Sequence, residues 1–546
     1  MKTGEGSIIP LIEAKERGME RKEKKEKERA RVLRLAKPMR KGILGLVFSR
    51  LLLIVLLVLL QVFILLGFFR WLGLRLPHFA LIKAAITAGG VLYLFNNRMD
   101  NSVKLTWMML IALFPVPAVL LLLYTQADAG NRWVAKRIAA LTEETRNVIP
   151  QNAAVLEALA DGSGTDDLQR YVNRSGCFPV FSGTEARYFA QAEDVFPVML
   201  EELEKAEKYI FLEYFIIEEG YMWGRVLDVL SRKAAAGLDV RVMFDGMCET
   251  FHLPHDYVSR LEKLGIRAKS YQPLRPLFST RYNYRDHRKI LVVDGAAAFT
   301  GGVNLADEYI NRTVRFGHWK DNAVLIRGEA ARSFTLMFLQ MWNINEPAAD
   351  FSPAALPAPA VPGAEGFVMP YADCPLSGSK VGEGVYIDML YRAVRYVHIM
   401  TPYLVLDGRT EAALKYAAER GIDVKIILPG VPDKKTAWAI AKSHYRALTE
   451  AGVRLYEYAP GFVHAKSFVS DDIKAVVGTI NLDYRSLYHH FECAAYLYKT
   501  PCIADIEADF QATLEKCRPV TAESIASEKL LYKIGGRIMK LVAPLM

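Results

Sequence analysis

The sequence has 546 residues, which is long enough for two or three domains. Its hydrophobic fraction of 52% is high for a purely soluble enzyme, and its formal net charge is +9. Residues 1–50 contain 15 basic and 7 acidic side chains and so carry almost the whole surplus. The near-neutral remainder gives no bulk electrostatic reason to expect a surface that binds nucleic acid.

Residues 1–50 form a basic charged tail with few large apolar side chains. This pattern is typical of a solvated, helical segment. Contact with anionic lipid headgroups is the alternative, because the tail leads directly into a long apolar stretch.

Residues 51–127 are predicted to form a membrane anchor. Residues 51–69 are uncharged and come close to the roughly 20 residues that cross a bilayer. Residues 105–127 form a second uncharged stretch, in which two prolines are expected to kink the helix without excluding it. Residues 79–95 are a third, weaker candidate, because a lysine and a glycine pair interrupt them. They are expected either to span the bilayer, with Lys83 reaching its surface, or to lie at the interface.

The basic tail predicts that the N-terminus lies inside the cell. With two spans the domains that follow are cytoplasmic, and with three they lie outside. Arg132, Lys136 and Arg137 follow the last span and favour the cytoplasmic side.

Two similar halves follow the anchor. Each combines an apolar strand, a helix that ends at a glycine, and a second strand, which is the pattern of a βαβ unit. The sequence therefore predicts an α/β fold with domains at residues 150–346 and 367–520. The Pro- and Ala-rich segment 347–366 is predicted to be a linker. Residues 521–546 are predicted to be a basic amphipathic segment that docks on the protein or on the bilayer.

The same short motif occurs once in each half. A histidine is followed after one residue by a lysine and then by an aspartate, with an asparagine at a fixed offset downstream. Three fixed residues match by chance at about one position in 8,000, so two copies indicate a repeat. The residues are His287, Lys289, Asp294 and Asn304 in the first half and His464, Lys466, Asp471 and Asn481 in the second.

The motif predicts phosphate chemistry. Alternate residues of a strand face the same side, so each histidine is expected to stand beside its lysine. The imidazole can attack phosphorus or transfer a proton, the ammonium group offsets phosphate charge, and the asparagine can donate to a non-bridging oxygen. If the two copies meet in one pocket, one histidine is the nucleophile and the other protonates the leaving oxygen. As members of the motif, Asp294 and Asp471 are predicted to be catalytic together with the histidines and lysines. A second interpretation of the two aspartates is that they only close a turn.

The six cysteines are scattered without a Cys-x-x-Cys pair, and no cluster of metal-ligand residues accompanies the motifs. The sequence therefore predicts neither a disulfide framework nor a zinc site, and it predicts no metal or other cofactor.

The doubled motif resembles that of the phospholipase D superfamily. The chain is more closely similar to bacterial cardiolipin synthases of the phospholipase D type, over nearly all of its length after residue 40. Landmarks of that family match FLEYFI (211–216), HWKD (318–321), TPYL (401–404) and NLDYRS (481–486). The chain departs from the family at PVPAV (115–119), where Pro-x-x-Gly is usual, and in its longer charged tail.

The resemblance implies two pseudo-symmetric α/β sandwich domains behind a transmembrane helical anchor. It also implies a metal-independent transfer in which two phosphatidylglycerol molecules give cardiolipin and glycerol. Under this resemblance His287 forms a phosphohistidine, and His464 acts first as general acid and then as base. Glu492 and Asp321 match the acidic residues that orient the histidines, paired crosswise with His287 and His464. The implied partners are phosphatidylglycerol, other anionic phospholipids and the bilayer.

Other functions share parts of this pattern. A hydrolytic phospholipase D has the same motifs and uses water in place of a lipid alcohol. A phosphodiesterase of nucleic acids predicts a basic catalytic region without membrane spans, and the near-neutral catalytic region and the predicted anchor disfavour it. A non-enzymatic membrane scaffold is disfavoured because His, Lys and Asn are intact in both copies.

Overall fold

The computed structural model describes residues 32–36, 63, 67, 78–97, 99–126, 129–273 and 283–545. Apart from residues 32–36, the charged tail lies outside this part of the chain. The first predicted membrane span, 51–69, also lies outside it, except for Phe63 and Gly67.

A series of helices precedes the two halves. They are α1 (Phe79–Asn96), α2 (Asn101–Leu113), α3 (Pro115–Gln126), α4 (Ala129–Glu144), α5 (Ala153–Leu159) and α6 (Thr165–Gly176).

The prediction of one kinked helix over residues 105–127 is wrong. Helix α2 ends at Leu113, the backbone of Phe114 leaves the helical region, and α3 starts at Pro115. Proline lacks an N–H group and restricts the residue before it, so the chain breaks between the two helices. Among the described residues, none of the helices combines the length and the apolar character that crossing a membrane requires.

The first repeat is built around a seven-stranded sheet in the order β1-β9-β7-β6-β2-β3-β4. Its elements are β1 (Glu185–Phe189), α7 (Ala192–Lys205), β2 (Tyr209–Tyr214), α8 (Tyr221–Ala235), β3 (Asp239–Asp245), α9 (Cys248–Phe251), α10 (Tyr257–Glu262), β4 (Arg267–Tyr271), β5 (Arg285–Asp286), β6 (Lys289–Val293), β7 (Ala297–Gly301), β8 (His318–Lys320), β9 (Ala323–Arg327) and α11 (Ala331–Trp342).

The segment after the first repeat carries α12 (Ser352–Ala355), and the second repeat follows it. The elements of the second repeat are β10 (Phe367–Asp373), α13 (Val381–Arg392), β11 (Tyr396–Met400), β12 (Leu404–Val405), α14 (Gly408–Glu419), β13 (Asp423–Pro429), α15 (Lys435–Glu450), β14 (Arg454–Tyr458), β15 (Gly461–Val463), β16 (Ser467–Ser470), β17 (Lys474–Gly478), β18 (Leu482–Asp483), β19 (His490–Tyr498), α16 (Cys502–Leu514) and β20 (Cys517–Pro519).

The second sheet repeats the order of the first. Its main path is β10-β19-β17-β16-β11-β13-β14-β20, and its first seven strands correspond one by one to the seven of the first repeat. The central parallel pairs match as well, since β2 pairs with β3 as β11 pairs with β13. The predicted α/β class and the two repeats are confirmed.

Helix α11 lies between the repeats and is buried along its whole length. The ring of Phe338 stacks on that of Phe211 in β2, with centroids 4.7 Å apart. The same apolar core continues into the second repeat, where it includes Tyr371 and Tyr386. A fully buried large side chain contributes roughly 1.5–3 kcal/mol, so this shared core holds the repeats together.

Two helices follow the second repeat, α17 (Ala522–Ser527) and α18 (Leu530–Val542). Helix α18 packs on α15 at Gly536, where a Cβ atom would lie only 2.1 Å from the carbonyl oxygen of Ala439. The hydroxyl of Thr106 in α2 donates to the carbonyl oxygen of Leu541 at 2.7 Å. Helix α18 therefore links the N-terminal helices to the second repeat.

Candidate active site

Short parallel strand pairs cross between the repeats and lead directly into the site. Strand β5 of the first repeat pairs with β19 of the second, with Arg285 opposite His490 and Asp286 opposite Phe491. Continuing this register by one residue sets His287 opposite Glu492.

The second crossing has the same form. Strand β15 of the second repeat pairs with β8 of the first, ending with Val463 opposite Lys320. The next position in this register sets His464 opposite Asp321.

Both histidines bind the opposing carboxylates. Nδ1 of His287 lies 3.0 Å from each oxygen of Glu492, and Nδ1 of His464 lies 2.7 Å from Oδ2 of Asp321. All four side chains are buried. The crosswise arrangement that the family resemblance implies is therefore the one present in the structure.

The carboxylate contacts and the burial of each imidazole together indicate how it is protonated. Burial and then the charge of Lys466 lower the pKa of His464 to about 4, and burial lowers the pKa of His287 well below its usual range. Burial opposes ionisation of Glu492 and Asp321, but the histidines outweigh it and lower the pKa of both carboxyls. We therefore assign ionised carboxylates and neutral imidazoles. A neutral imidazole that donates from Nδ1 presents an unprotonated Nε2, which is a nucleophile or base.

The two lysines supply positive charge beside the histidines. Nζ of Lys289 donates to the main-chain oxygen of His287 at 2.6 Å, and Nζ of Lys466 donates to that of His464. Burial lowers the pKa of Lys289 to about 8 and that of Lys466 to about 7. The charge of Lys289 also depresses the pKa of Lys466 and of His464, so the two motifs share one electrostatic environment.

The two asparagines differ in their contacts. Oδ1 of Asn304 accepts from the main-chain nitrogen of Ile216 at 3.0 Å, and its Nδ2 donates to the hydroxyl of Tyr309 at 2.7 Å. One amide hydrogen of Asn304 is left for a phosphate oxygen. Asn481 is buried, and its Oδ1 has no hydrogen-bond partner among the described residues.

The catalytic assignment of Asp294 and Asp471 needs correction. Each follows the strand that its histidine precedes, so about seven residues at roughly 3.3 Å each separate them along the chain. Asp294 has a positive φ of 53° and accepts from the main-chain nitrogens of Glu207, Lys208 and Tyr209. Asp471 has a φ of 57° and makes the equivalent three bonds to Val394, Arg395 and Tyr396. Both aspartates close turns, as their second interpretation predicts.

Sequence reasoning missed two residues around His287. The hydroxyl of Thr479 donates to Oε2 of Glu492, and the ring of His490 lies 5.2 Å from that of His287. Thr479 lies two residues before the motif residue Asn481, and this spacing indicates its proximity to the site. His490 precedes Glu492 by two positions, as Trp319 precedes Asp321.

Aromatic side chains line the other histidine. The rings of Trp319 and Tyr309 lie 5.4 Å and 5.5 Å from that of His464, and Nε1 of Trp319 donates to Asp321 at 3.4 Å. Trp319 and Tyr309 therefore form a wall of the pocket beside His464.

Comparison with known proteins places the chain in a family. The family model described as "Cardiolipin synthase, PLD-like domain" matches residues 199–342 and 386–514. An uncharacterized protein of Streptococcus mutans is 53% identical over 84% of this chain and 100% of its own length. The cardiolipin synthases of Alkalihalophilus pseudofirmus and of a Geobacillus species are 31% and 33% identical, each over 84% of this chain and 91% of their own length.

A solved structure shares the fold. The phosphatidylserine synthase of Haemophilus influenzae is 17% identical, with a TM-score of 0.52, and the match covers 70% of this chain and 100% of that one. Two α/β repeats around a shared pair of motif histidines define a phospholipase D-like protein. Within that class, the chain belongs to the cardiolipin synthase family.

The role of the two aspartates gives a first prediction. Asp294→Ala and Asp471→Ala each remove three hydrogen bonds to main-chain nitrogens, so each is expected to lower the free energy of unfolding by about 1–3 kcal/mol. The folded variants should keep the kcat of the parent protein. Thermal unfolding and turnover of the same samples measure both effects. A large loss of kcat at an unchanged melting temperature would contradict a structural role.

The lysines give a pH prediction. Only the charged ammonium groups attract a phosphate, and both are lost as pH rises through the lowered pKa values of about 7 and about 8. The kcat/KM for an anionic phospholipid should therefore fall between about pH 7 and pH 9. The measurement uses mixed micelles of constant composition, with micelle binding followed separately. A kcat/KM that rises over this range would refute the assignment.

Proposed function

We propose that the protein is a membrane phosphatidyltransferase that converts two phosphatidylglycerol molecules into cardiolipin and glycerol. One observation carries the proposal: two buried histidines, one from each repeat, each bind a carboxylate of the opposite repeat through Nδ1. Family membership supports it, because relatives that match most of the chain are named cardiolipin synthases.

The first step forms a phosphatidyl-enzyme. Nε2 of His287 attacks the phosphorus atom of one phosphatidylglycerol, and the bond from phosphorus to the glycerol headgroup breaks. His464 gives its proton to the departing glycerol oxygen. The products of this step are free glycerol and a phosphatidyl group on His287.

The second step reverses these roles. His464, now neutral, takes a proton from a headgroup hydroxyl of a second phosphatidylglycerol. That oxygen attacks the phosphorus on His287, the phosphorus–nitrogen bond breaks, and cardiolipin leaves. The proton returns to His464, so the cycle closes without a change in net charge.

The pocket supplies the charge that these steps require. Lys289 and Lys466 offset the negative charge of the phosphate, and Asn304 and Asn481 donate to its non-bridging oxygens. The bound phosphate also favours the charged imidazole of His464, whose pKa is low in the free protein. Substrate binding therefore favours the protonated form of His464 that the general acid requires.

We further propose that the protein is a multi-pass protein of the bacterial plasma membrane, with its catalytic repeats on the cytoplasmic side. Helices α1–α3 support membrane contact, because they expose large apolar side chains. Leu81, Phe95 and Leu105 are each more than two-thirds exposed. Apolar surface of this kind marks an interface with lipid or with another protein.

The product of the reaction tests the function. Purified protein with phosphatidylglycerol as the sole lipid should yield cardiolipin and free glycerol in equal amounts, without a nucleotide. Mass analysis of the lipids and an assay of glycerol measure both. Phosphatidic acid as the sole phospholipid product would show a hydrolase instead.

Trapping the covalent intermediate distinguishes the roles of the two histidines. His287→Ala and His464→Ala should each lose about 10³-fold or more in rate. With a p-nitrophenyl phosphatidyl ester, whose leaving group needs no proton, His464→Ala should still form a phosphatidyl adduct and His287→Ala should not. Intact-mass analysis detects the adduct. The exposed His255→Ala is the control and should be fully active, and an adduct on His287→Ala alone would exchange the two roles.

A further inference from the structure

His490 is a buried histidine to which the proposed reaction gives no task. Its Nδ1 lies 3.6 Å from Oε1 of Glu492, beyond hydrogen-bond distance, and neither ring nitrogen has a hydrogen-bond partner among the described residues. A buried polar group without a hydrogen bond is costly, so His490, whose Nδ1 approaches Glu492 without hydrogen bonding to it, is a candidate ligand residue.

The surrounding atoms have the spacing of a metal site. His287, His490 and Glu492 each offer one ligand atom, and these atoms lie within 4.8 Å of one another. Zinc bonds of about 2.0–2.1 Å to nitrogen and oxygen imply ligand atoms roughly 3.3 Å apart in a tetrahedron. The separations of 3.0 Å between His287 and Glu492 and of 3.6 Å between His490 and Glu492 bracket this value.

We propose that His287, His490 and Glu492 bind a divalent transition-metal ion of the zinc type, and that the bound ion inhibits the enzyme reversibly. Two imidazoles and one carboxylate leave a fourth position for water, as in open zinc sites. The inhibitory part of this proposal rests on the proposed function of His287, whereas the binding site itself does not.

Inhibition follows from the chemistry of the imidazole ring. A neutral imidazole has one lone pair on nitrogen and one N–H group. If Nδ1 of His287 coordinates the ion, its proton moves to Nε2, and the lone pair that would attack phosphorus is gone. If Nε2 coordinates the ion, the same lone pair is occupied directly. In either case Glu492 also turns from orienting the imidazole to binding the ion.

The site exists at one histidine of the pair. Trp319 lies two residues before Asp321, just as His490 lies two residues before Glu492. The indole nitrogen of Trp319 is a hydrogen-bond donor and offers no lone pair to a metal ion. Within the part of the chain that the structure describes, His464 and Asp321 therefore lack a third ligand residue. A metal ion is expected to bind once per chain, at the proposed nucleophile.

The neighbouring lysines limit the affinity. Lys289 and Lys466 oppose a second cation while they are charged, so we expect a dissociation constant on the order of 1–10 μM, weaker than in structural zinc sites. Such affinity makes the ion an exchangeable inhibitor rather than a fixed component.

Cobalt binding tests the site independently of activity. The untagged full-length protein, stripped with EDTA and desalted, should bind one Co²⁺ per chain with the visible absorption bands of tetrahedral cobalt, and Zn²⁺ should abolish them. His490→Gln should weaken binding at least tenfold. His490→Trp, which copies the arrangement at Trp319, provides a second variant should the first fail to fold. The matched control is His489→Gln, the adjacent histidine outside the three ligand residues, and it should bind as the parent protein does.

Inhibition is measured on the same samples. Micromolar Zn²⁺ should inhibit the parent protein and His489→Gln, EDTA should restore activity, and His490→Gln should resist inhibition at least tenfold. Equal cobalt binding by His490→Gln and the parent protein would overturn the site. Full activity of the zinc-loaded parent would overturn inhibition. Absence of transferase activity in every sample would refute the proposed function, while the cobalt spectra would still decide the site.

Discussion

The parallel register between β5 and β19, and between β15 and β8, determines the centre of this molecule. Each of these pairs joins one repeat to the other, and each ends one residue before a histidine and its carboxylate. Alternate residues of a strand face opposite sides, so a slip of one residue would turn the histidine away from its carboxylate. The hydrogen bonds of both histidines, and hence their tautomers, depend on this register.

The crossing also explains why the two repeats are inseparable in function. Glu492 belongs to the second repeat and orients the histidine of the first, and Asp321 does the converse. A single repeat would hold a histidine without its carboxylate and a buried carboxylate without its partner, which is costly in a protein interior. The two-fold similarity of the site does not extend to the residues that contact the two histidine–carboxylate pairs. Thr479 donates to Glu492 and His490 lies beside His287, whereas Trp319 and Tyr309 lie beside His464.

Much of this arrangement was predictable from the sequence, because two copies of the same motif are unlikely to occur by chance. Repetition identifies the histidines, lysines and asparagines, and the strand–helix–strand pattern of each half predicts the two α/β domains. The crosswise carboxylates came from the family resemblance, since Glu492 is more than 200 residues from His287 in the chain.

The wrong or missing predictions, for the two aspartates, for the helix over residues 105–127 and for His490, have physical causes. The motif groups Asp294 with His287 because they are close in sequence, but the predicted strand between them is extended, so it carries the aspartate to the far end. The helix breaks at Phe114 because the following proline disfavours helical backbone angles at this residue. A hydropathy pattern carries no information about backbone angles. His490 lies next to His287 only through the crossing of β5 and β19, which is a long-range contact.

The burial of helix α11 bears on how the chain reaches its folded state. The helix belongs to the first repeat and is synthesised before the second, yet the core that covers it includes side chains of both. A first repeat that folded alone would expose this apolar surface to water until residues beyond 367 emerged from the ribosome. The halves are therefore expected to complete folding together, in one cooperative step, and the interval between them is when the nascent chain is most prone to aggregate. Destabilising either half should accordingly lower the yield of the whole enzyme.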